Sequence, residues 1–182
     1  MIYLGLIIGI GIILYSKQAK GAETVSTNPD SRFDSLFIKY GTMYNIDPKE
    51  LKAIATIESS LGRAKSVARG LVAPSDIEGS KSTDGLSWGI MQVTIPTARD
   101  YDSTATAEKL NDPDYSVKIA ARHLSKLHSL FNRSDARYQE WVIKSYNQGQ
   151  GNTKREIAGY VGYANGYWLK YLNAYSSLGA LE

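Results

Sequence analysis

The chain has 182 residues with a formal net charge of +3, and 43% of its residues are hydrophobic while 21% are charged. This composition is typical of one folded domain with room for short additional segments. The absence of cysteine excludes disulfides, a thiol nucleophile and a thiolate metal site. The small and dispersed positive charge argues against nucleic acid as a partner.

Two histidines, His123 and His128, fall on one amphipathic segment without a set of acidic ligands nearby in the sequence. A protein zinc site needs three or four ligand side chains. We therefore interpret both histidines as surface or groove-edge residues, and we predict neither a metal nor another cofactor.

Residues 2–15 are almost continuously apolar, and Lys17 and Lys20 follow them. The run is short for a bilayer, which needs about 20 residues, but lysine snorkelling and local thinning can accommodate the difference. We predict an uncleaved transmembrane anchor over residues 1–20 and a polar, flexible tether over residues 21–30. A cleaved signal peptide is the alternative, although a charged n-region and a small-residue cleavage site are missing.

A globular domain is predicted over residues 31–182. Its first helix has an apolar side made of Phe33, Leu36, Phe37, Tyr40 and Tyr44. A second helix start follows, because Asp47 can cap the free backbone donors and Pro48 suits the first helical position. Glu50 can complete a capping box, and Gly62 can take the left-handed conformation that ends a helix.

One carboxylic acid lies on the core-facing stripe of this second helix. The stripe has the i, i+3, i+4, i+7 spacing of a buried face and consists of Leu51, Ile54, Ala55 and Glu58. Burial raises the pKa of a glutamate unless a partner or a wet cleft compensates. The alternative is that Glu58 turns into solvent or pairs with an arginine, and both interpretations stay open at this point.

Residues 63–86 show no sustained period, which predicts a long loop, with a short hairpin as an option. Long ordered loops in compact domains are usually functional. The loop holds the carboxylates that could partner Glu58, namely Asp76, Glu78 and Asp84. The following segment, SWGIMQVT at residues 87–94, is a poor strand and a poor helix. Its glycine permits a close approach, and Gln92 can present a donor and an acceptor at a cleft wall.

The remaining segments are predicted to be helical. Pro96 and Pro113 each open a helix, and the longer of the two has a core stripe made of Val117, Ala120, Ala121, Leu124, Leu127 and Phe131. Another helix begins near Asp135 and ends in the glycine-rich run 147–151.

Thr153 and Glu156 predict a capping box for a further helix, which the Asn165-Gly166 pair should break. The final helix has an aromatic face made of Tyr167, Trp168, Tyr171, Leu172 and Tyr175. No internal repeat and no convincing run of period 2 occur, so the fold class is predicted to be mostly α.

Three motifs stand in a fixed order along the chain. They are Glu58-Ser59-Ser60-Leu61, Gly89-Ile90-Met91-Gln92 and Ser145-Tyr146-Asn147-Gln148-Gly149. Together they resemble the lytic transglycosylases of the soluble (SLT) type, which carry a Glu-Ser pair at a helix end, a Gly-Leu-Met-Gln string and an Ala-Tyr-Asn-x-Gly string. The resemblance extends over residues 33–175, and it implies a lysozyme-like α+β domain with a long loop or short hairpin at the cleft.

The resemblance implies cleavage of the β-1,4 bond between N-acetylmuramic acid and N-acetylglucosamine in peptidoglycan. Glycosidases ordinarily use two carboxylates, whereas the sequence places only Glu58 convincingly. A protonated Glu58 would donate to the departing glycosidic oxygen, and the N-acetyl carbonyl of the muramic ring would stabilise the anomeric centre. Glu58 would then take the proton of the sugar's 6-hydroxyl, which closes a 1,6-anhydro ring without water, metal or cofactor.

Three polar residues of the motifs are predicted, by resemblance, to bind the glycan. Gln92 and Asn147 would form hydrogen bonds with its acetamido and hydroxyl groups. Tyr146 would hold either Glu58 or the N-acetyl group.

Four further residues are predicted by resemblance to shape the site. Gly89 and Met91 would form its floor, and Tyr167 would pack behind the catalytic acid. Ser59 would contact the substrate.

Two other functions remain open from the sequence. A hydrolytic muramidase of goose-type-lysozyme character would use Asp84, or alternatively Asp76, as a base for water opposite Glu58. A non-catalytic peptidoglycan-binding membrane protein would keep the groove without turnover.

The predicted partners are peptidoglycan glycan strands and, through the N-terminal helix, a membrane. The two lysines beside the anchor favour a cytoplasmic domain by the positive-inside rule. A peptidoglycan substrate instead requires the cell-wall side, in a bacterial envelope or a virion membrane, and this is the placement we predict. Local wall opening would serve bacterial remodelling or phage entry and lysis. The sequence gives no oligomeric state.

Overall fold

The computed structural model describes residues 31–62, 86–162 and 164–181. The predicted anchor and tether lie outside these ranges, as do residues 63–85 of the predicted loop. Within the described ranges, no helix combines the length and the apolar character needed to cross a bilayer.

The described residues form eight α-helices and one short antiparallel hairpin. The helices are α1 (Asp34–Tyr44), α2 (Pro48–Ser59), α3 (Ile95–Arg99), α4 (Ala107–Asn111), α5 (Pro113–Leu130), α6 (Tyr138–Gln148), α7 (Gln150–Ile157) and α8 (Asn165–Ser177). The hairpin consists of β1 (Ser87–Trp88) and β2 (Val93–Thr94), with Ser87 opposite Thr94 and Trp88 opposite Val93. The prediction of a mostly helical domain is therefore confirmed.

Helix α2 begins as its sequence predicts. The Asp47 side chain accepts a hydrogen bond from the Lys49 backbone N–H at 2.9 Å, and Pro48 occupies the first helical position. Leu51, Ile54 and Ala55 are fully buried. This apolar face lets α2 pack between α1 and α8, and it carries the last turn of α2 into the interior of the domain.

Helix α5 is the longest described element and provides much of the core. Asp112 caps it by accepting from the Tyr115 backbone N–H at 2.8 Å. It packs against α1, α4 and α6, through fully or almost fully buried residues that include Val117, Ala120, Ala121, Leu124 and Leu127. Helix α6 then contacts α7 and α8, and α8 also packs directly against α2.

Two predicted capping boxes do not form, and one histidine lies elsewhere than predicted. Glu50 forms no capping box, since its carboxylate is buried and contacts His128 at 2.9 Å and Gln139 at 3.0 Å. His128 is therefore an interior residue rather than a surface or groove-edge residue. Thr153 lies inside α7, where its hydroxyl bonds back to the Gly149 carbonyl at 3.3 Å, and α7 begins earlier than predicted.

Two boundaries also differ from the prediction. The Asn165-Gly166 pair begins α8 instead of breaking a helix, and helix α4 was not predicted at all. Tyr160 and Val161 lie beyond the end of α7 and are 61% and 81% exposed. Asn and Gly favour both helix starts and helix breaks, so their pattern alone does not distinguish the two.

Candidate active site

Glu58 lies in the last turn of α2 and accepts a hydrogen bond from another helix. The Tyr167 hydroxyl, in the first turn of α8, donates to Glu58 Oε1 at 2.6 Å. Burial of the carboxyl group raises the pKa of Glu58 to about 7, although the Tyr167 hydrogen bond and the charge of Lys170 act in the opposite direction. Glu58 is thus partnered by a hydroxyl, and the arginine pairing left open by the sequence does not occur among the described residues.

The backbone turns sharply directly after this glutamate. Ser60, Leu61 and Gly62 all have left-handed φ values, of 54°, 54° and 81°. Only glycine adopts this region without steric penalty, so two successive non-glycine residues store strain of about 1–3 kcal/mol each. The strain is held in place partly by the Arg32 guanidinium, which donates to the Leu61 carbonyl at 2.8 Å. The abrupt end leaves the Glu58 carboxyl at the helix terminus.

Ser59, the neighbour of Glu58, is 2% exposed. Its hydroxyl donates to the Ile90 carbonyl at 2.7 Å and accepts from the Gly62 backbone N–H at 2.8 Å. It therefore joins the end of α2 to the loop of the hairpin. This geometry assigns Ser59 a positioning role, and its predicted contact with substrate stays a prediction.

The hairpin loop, residues 89–92, has a left-handed residue at each end. Gly89 has φ +72° and Gln92 has φ 48°. A Cβ atom at Gly89 would lie 1.9 Å from the Leu110 carbonyl oxygen, so the loop needs glycine there for a close backbone contact. The Gln92 side-chain amide donates to the Gly89 carbonyl at 2.7 Å, which closes the loop and fixes the direction of the glutamine side chain.

Met91 and Tyr146 connect this loop to helix α6. The Met91 side chain is fully buried, its backbone N–H donates to the Ser116 hydroxyl at 3.3 Å, and its carbonyl accepts from the Tyr146 hydroxyl at 2.8 Å. Burial and then the charge of Glu58 raise the pKa of Tyr146 well above its ordinary value, so this hydroxyl keeps its proton and donates. Of the two roles that the sequence left open for Tyr146, a direct bond to Glu58 is not formed.

Six of the predicted site residues are therefore linked to Glu58 or to the hairpin loop by contacts. Tyr167 contacts the acid, Ser59 and Tyr146 hold the loop, and Gly89, Met91 and Gln92 belong to it. Asn147, at the end of α6, is exposed, and no hydrogen bond joins it to the other candidates within the described residues. Its predicted glycan contact stays a prediction.

Sequence reasoning missed two residues near this site. The positive charge of Lys170, one turn after Tyr167 on α8, acts to lower the pKa of Glu58. His123 on α5 packs its ring 5.7 Å from the ring of Tyr146 and bonds through Nδ1 to the Tyr101 hydroxyl at 2.9 Å. Burial lowers the pKa of His123 to about 4, and the Lys126 charge adds to this effect. No local signal marks either residue, because both depend on how α5, α6 and α8 pack.

The other carboxylates considered from the sequence, Asp76, Glu78 and Asp84, lie outside the described residues. Across the part of the chain that the structure does describe, His, Asp and Glu form no group of three or more that could hold a metal ion. Among the described residues, Glu58 is the carboxylic acid at the end of α2, where it is largely shielded from solvent.

Comparison with known proteins identifies the family. The sequence model described as "Transglycosylase SLT domain" matches residues 35–175. The solved structure of an inactive mutant of the lytic transglycosylase Slt from Pseudomonas aeruginosa is similar, with a TM-score of 0.55 and 19% sequence identity. The similarity covers 81% of this chain and only 22% of that chain; at this identity it shows a shared fold. A comparison with curated protein sequences gives no match. Because the family model matches more than half of the residues of this chain, the chain belongs to the transglycosylase SLT domain family.

Proposed function

We propose that the chain is a peptidoglycan lytic transglycosylase with Glu58 as its sole acid and base. The observation that carries the proposal is the Glu58 carboxyl in the last turn of α2, which accepts a hydrogen bond from the Tyr167 hydroxyl at 2.6 Å. Burial at this position raises the pKa of Glu58 to about 7. A general acid works best when its pKa lies near the working pH. Membership of the SLT family supports peptidoglycan as the substrate.

In the first step, protonated Glu58 donates to the oxygen of the β-1,4 bond between N-acetylmuramic acid and N-acetylglucosamine. The bond from the anomeric carbon of the muramic ring to that oxygen breaks, and the N-acetylglucosamine side leaves with a new hydroxyl. The carbonyl oxygen of the muramic N-acetyl group stabilises the positive anomeric carbon. The proposal thus needs no second protein carboxylate.

In the second step, the Glu58 carboxylate removes the proton of the muramic 6-hydroxyl, whose oxygen then bonds to the anomeric carbon. This closes the 1,6-anhydro ring and returns Glu58 to its protonated form. Tyr167 supports both steps, because its hydroxyl occupies one carboxyl oxygen at 2.6 Å and directs proton transfer to the other. Its hydrogen bond also stabilises the carboxylate that exists between the steps.

The proposed glycan contacts come from the three motifs. Gln92 and Asn147 would bind acetamido and hydroxyl groups, while Gly89, Met91 and Tyr146 would support the groove floor. The proposal is consistent with a Tyr146 hydroxyl that already holds the Met91 carbonyl. Ser59 would act through the loop, since its hydroxyl is engaged with Ile90.

Product analysis tests the proposal. We expect mass spectrometry of digested peptidoglycan to show 1,6-anhydromuramic ends, and Glu58→Gln to bind glycan without turnover because it has no transferable proton. Glu108→Gln, the same change on the exposed face of α4, is the matched control and should retain activity. Reducing ends instead of anhydro ends would overturn the transglycosylase reaction in favour of hydrolysis, with Asp84 as the candidate base.

The alternative hypothesis, a non-catalytic protein that binds the cell wall, predicts a different result. In that case the natural chain and Glu58→Gln would bind peptidoglycan equally and neither would release products. The strained helix terminus and the pKa of Glu58 support the catalytic alternative, since both are features that cluster at active sites.

We extend the proposal to localisation on the basis of the sequence. Residues 1–20 would anchor the protein in a membrane, residues 21–30 would act as a tether, and the domain from residue 31 would face the cell wall. This placement suits local opening of the wall in a bacterial envelope or from a virion membrane.

A further inference from the structure

A buried lysine lies at the junction of the three C-terminal helices. Lys144 on α6 is 0% exposed. Its ammonium contacts Glu140 at 2.8 Å, Glu156 at 2.5 Å and the side-chain oxygen of Asn165. An ammonium has three N–H donors, and this one therefore has an acceptor for each of them. These acceptors come from α6, α7 and the first residue of α8.

Gln148 extends the same network to the backbone. Its side-chain amide donates to Glu156 Oε2 at 2.9 Å, and its side-chain oxygen accepts from the Ala164 backbone N–H at 3.0 Å. Gly162 leaves the space for Glu156, because a Cβ atom there would lie 2.1 Å from that carboxyl group. We call Lys144, Gln148, Glu156 and Asn165 the α8 clamp.

The clamp replaces an ordinary helix cap. No side chain caps the backbone donors of α8 locally, although a helix start leaves its first backbone N–H groups without intrahelical partners. The Gln148 side-chain oxygen accepts a hydrogen bond from the Ala164 backbone N–H, and the Lys144 ammonium donates one to the Asn165 side-chain oxygen. Tyr167, whose hydroxyl contacts Glu58, follows only two residues after Asn165. The position of the Tyr167 hydroxyl thus depends on where the clamp places the start of α8.

The charges of the clamp and of the neighbouring residues Glu140 and Arg137 are balanced. Glu140 also binds the Arg137 guanidinium at 2.6 and 2.8 Å, and the hydrogen bond from Arg137, followed by that from Lys144, lowers the pKa of Glu140 to about 2. Burial raises the pKa of Glu156, but the hydrogen bonds from Lys144 and Gln148 outweigh it, so the pKa stays below its ordinary value. Two carboxylates thus face two cations.

We propose that the α8 clamp is a positioning device for the catalytic acid, in which Gln148 and Lys144 hold the Tyr167 hydroxyl on Glu58. The inference rests on the proposed function for its catalytic consequence. No hydrogen bond or ion pair among the described residues joins Gln148 or Lys144 to Glu58. Gln148 directly follows Asn147 in the chain, but its side chain bonds towards α7 and α8, so we treat both residues as positioning residues that act through Tyr167.

The first test is a double-mutant cycle in the full chain. Gln148→Met keeps the side-chain length but removes both clamp hydrogen bonds, and we expect a loss of about tenfold in kcat/KM, since small displacements at a reacting centre are expensive. In a Tyr167→Phe background the same change should have less than about a twofold effect, because its target is gone. Independent, multiplicative losses would overturn the proposal.

Gln139→Met is the matched control. Gln139 lies on the same helix, and its side chain hydrogen-bonds with Glu50 at 3.0 Å and with Tyr171 in the middle of α8, not with the first residues of α8. The control should lose stability similarly, by denaturant unfolding, while keeping kcat/KM near that of the natural chain. An equal loss of kcat/KM in both variants would show a general stability effect and would contradict a positioning role.

The second test does not depend on glycan cleavage. The groups acting on Glu58 are Tyr167 and Lys170 from α8, with Tyr146 from α6 interacting with its charge. Without the Tyr167 hydrogen bond, the Glu58 carboxyl should titrate at higher pH. We expect carbon NMR to show this rise in Gln148→Met and Tyr167→Phe, and not in Gln139→Met. An unchanged Glu58 titration in Gln148→Met would refute the clamp even if the proposed reaction were correct. A rise without anhydro products in the natural chain would instead refute the reaction alone.

Discussion

At the scale of single residues, Glu58 combines two opposing influences. Burial favours its neutral form, while the Tyr167 hydroxyl and Lys170 favour its charged form, and burial prevails to give a pKa of about 7. A fully solvated glutamate would be almost entirely ionised at neutral pH. The residue can therefore both donate and accept a proton under one set of conditions, as the proposed two-step reaction requires.

Activity should depend on pH through this one group. Because the first step needs protonated Glu58, kcat/KM should fall about tenfold per pH unit above a midpoint of about 7. Rates of anhydro-product release, measured from about pH 5 to about pH 9, would give the midpoint. If the loss of activity with rising pH instead had its midpoint close to 4.5, the ordinary pKa of glutamate, it would contradict a buried catalytic acid.

Stability should depend on the same group with a definite sign. The folded pKa of Glu58, about 7, lies above its ordinary value of 4.5, so its contribution is fully present below pH 4.5 and is lost as the pH rises through 7. Glu58→Gln carries no such charge. The free energy of unfolding of the variant, relative to that of the natural chain, should therefore rise by up to about 3 kcal/mol from acid to alkaline pH.

Urea unfolding of both chains at the two ends of that range measures this difference. Glu108→Gln, on exposed α4, should show no comparable pH-dependent gain. A Glu58→Gln variant that is equally or less stable at alkaline pH would show that the carboxylate is well solvated in the folded state.

At the scale of elements, the hairpin loop makes a close backbone contact with α4 at Gly89. Gly89→Ala would bring a Cβ atom within 1.9 Å of the Leu110 carbonyl at a φ of +72°. We expect a loss of at least about 2 kcal/mol in the free energy of unfolding, because both the backbone conformation and the contact must change. The loop bonded to Ser59 and Tyr146 should move with it, so activity should fall as well.

Gly151→Ala provides the comparison for that variant. Gly151 lies in α7 without a left-handed backbone, and no atom lies within 4 Å of the place that an added methyl group would occupy. Alanine is favoured over glycine in helices, so this variant should be neutral or stabilised by about 0.5 kcal/mol. Equal unfolding midpoints for Gly89→Ala and Gly151→Ala would argue against the close contact at the loop.

The junction of α1 and α2 depends on a buried ion pair. The Lys52 ammonium is fully buried and contacts the Asp34 carboxylate at 2.6 and 2.9 Å. Lys52→Met should cost about 3 kcal/mol, because it leaves a buried carboxylate without its cation. Lys39→Met, which breaks the half-exposed pair with Asp114, should cost less than about 1 kcal/mol. Denaturant unfolding of both variants tests this ranking, and similar losses would contradict it.

At the scale of the whole molecule, the family match at residues 35–175 suggests that folding and catalysis reside in the domain. A chain that starts at residue 31 should therefore fold and release the same products as the full chain. Only the full chain should float with lipid vesicles, because the apolar residues 2–15 are absent from the shorter one. Vesicle binding by both chains, or by neither, would contradict an anchor at residues 1–20.

Much of the domain follows from local sequence signals. Asp47 caps the helix that its position predicts, Pro113 opens α5 as predicted, and the α5 stripe from Val117 to Leu127 is buried in the core. Those signals are reliable because capping and amphipathic spacing act within a few residues. The predicted capping box of Thr153 and Glu156 was wrong for the opposite reason, because the Glu156 carboxylate binds Lys144, which is distant in the sequence.

The sequence by itself determined the family motifs, the mostly helical class and the position of Glu58 on a buried stripe. Only the tertiary structure decided what surrounds that acid: Tyr167 from 109 residues further along, the hairpin loop fastened by Ser59, and the clamp that places α8. The physical reason is the separation along the chain of the groups that interact. Helix starts and apolar stripes depend on neighbours within a turn or two, whereas the pKa and orientation of a buried carboxyl depend on groups that only packing brings together.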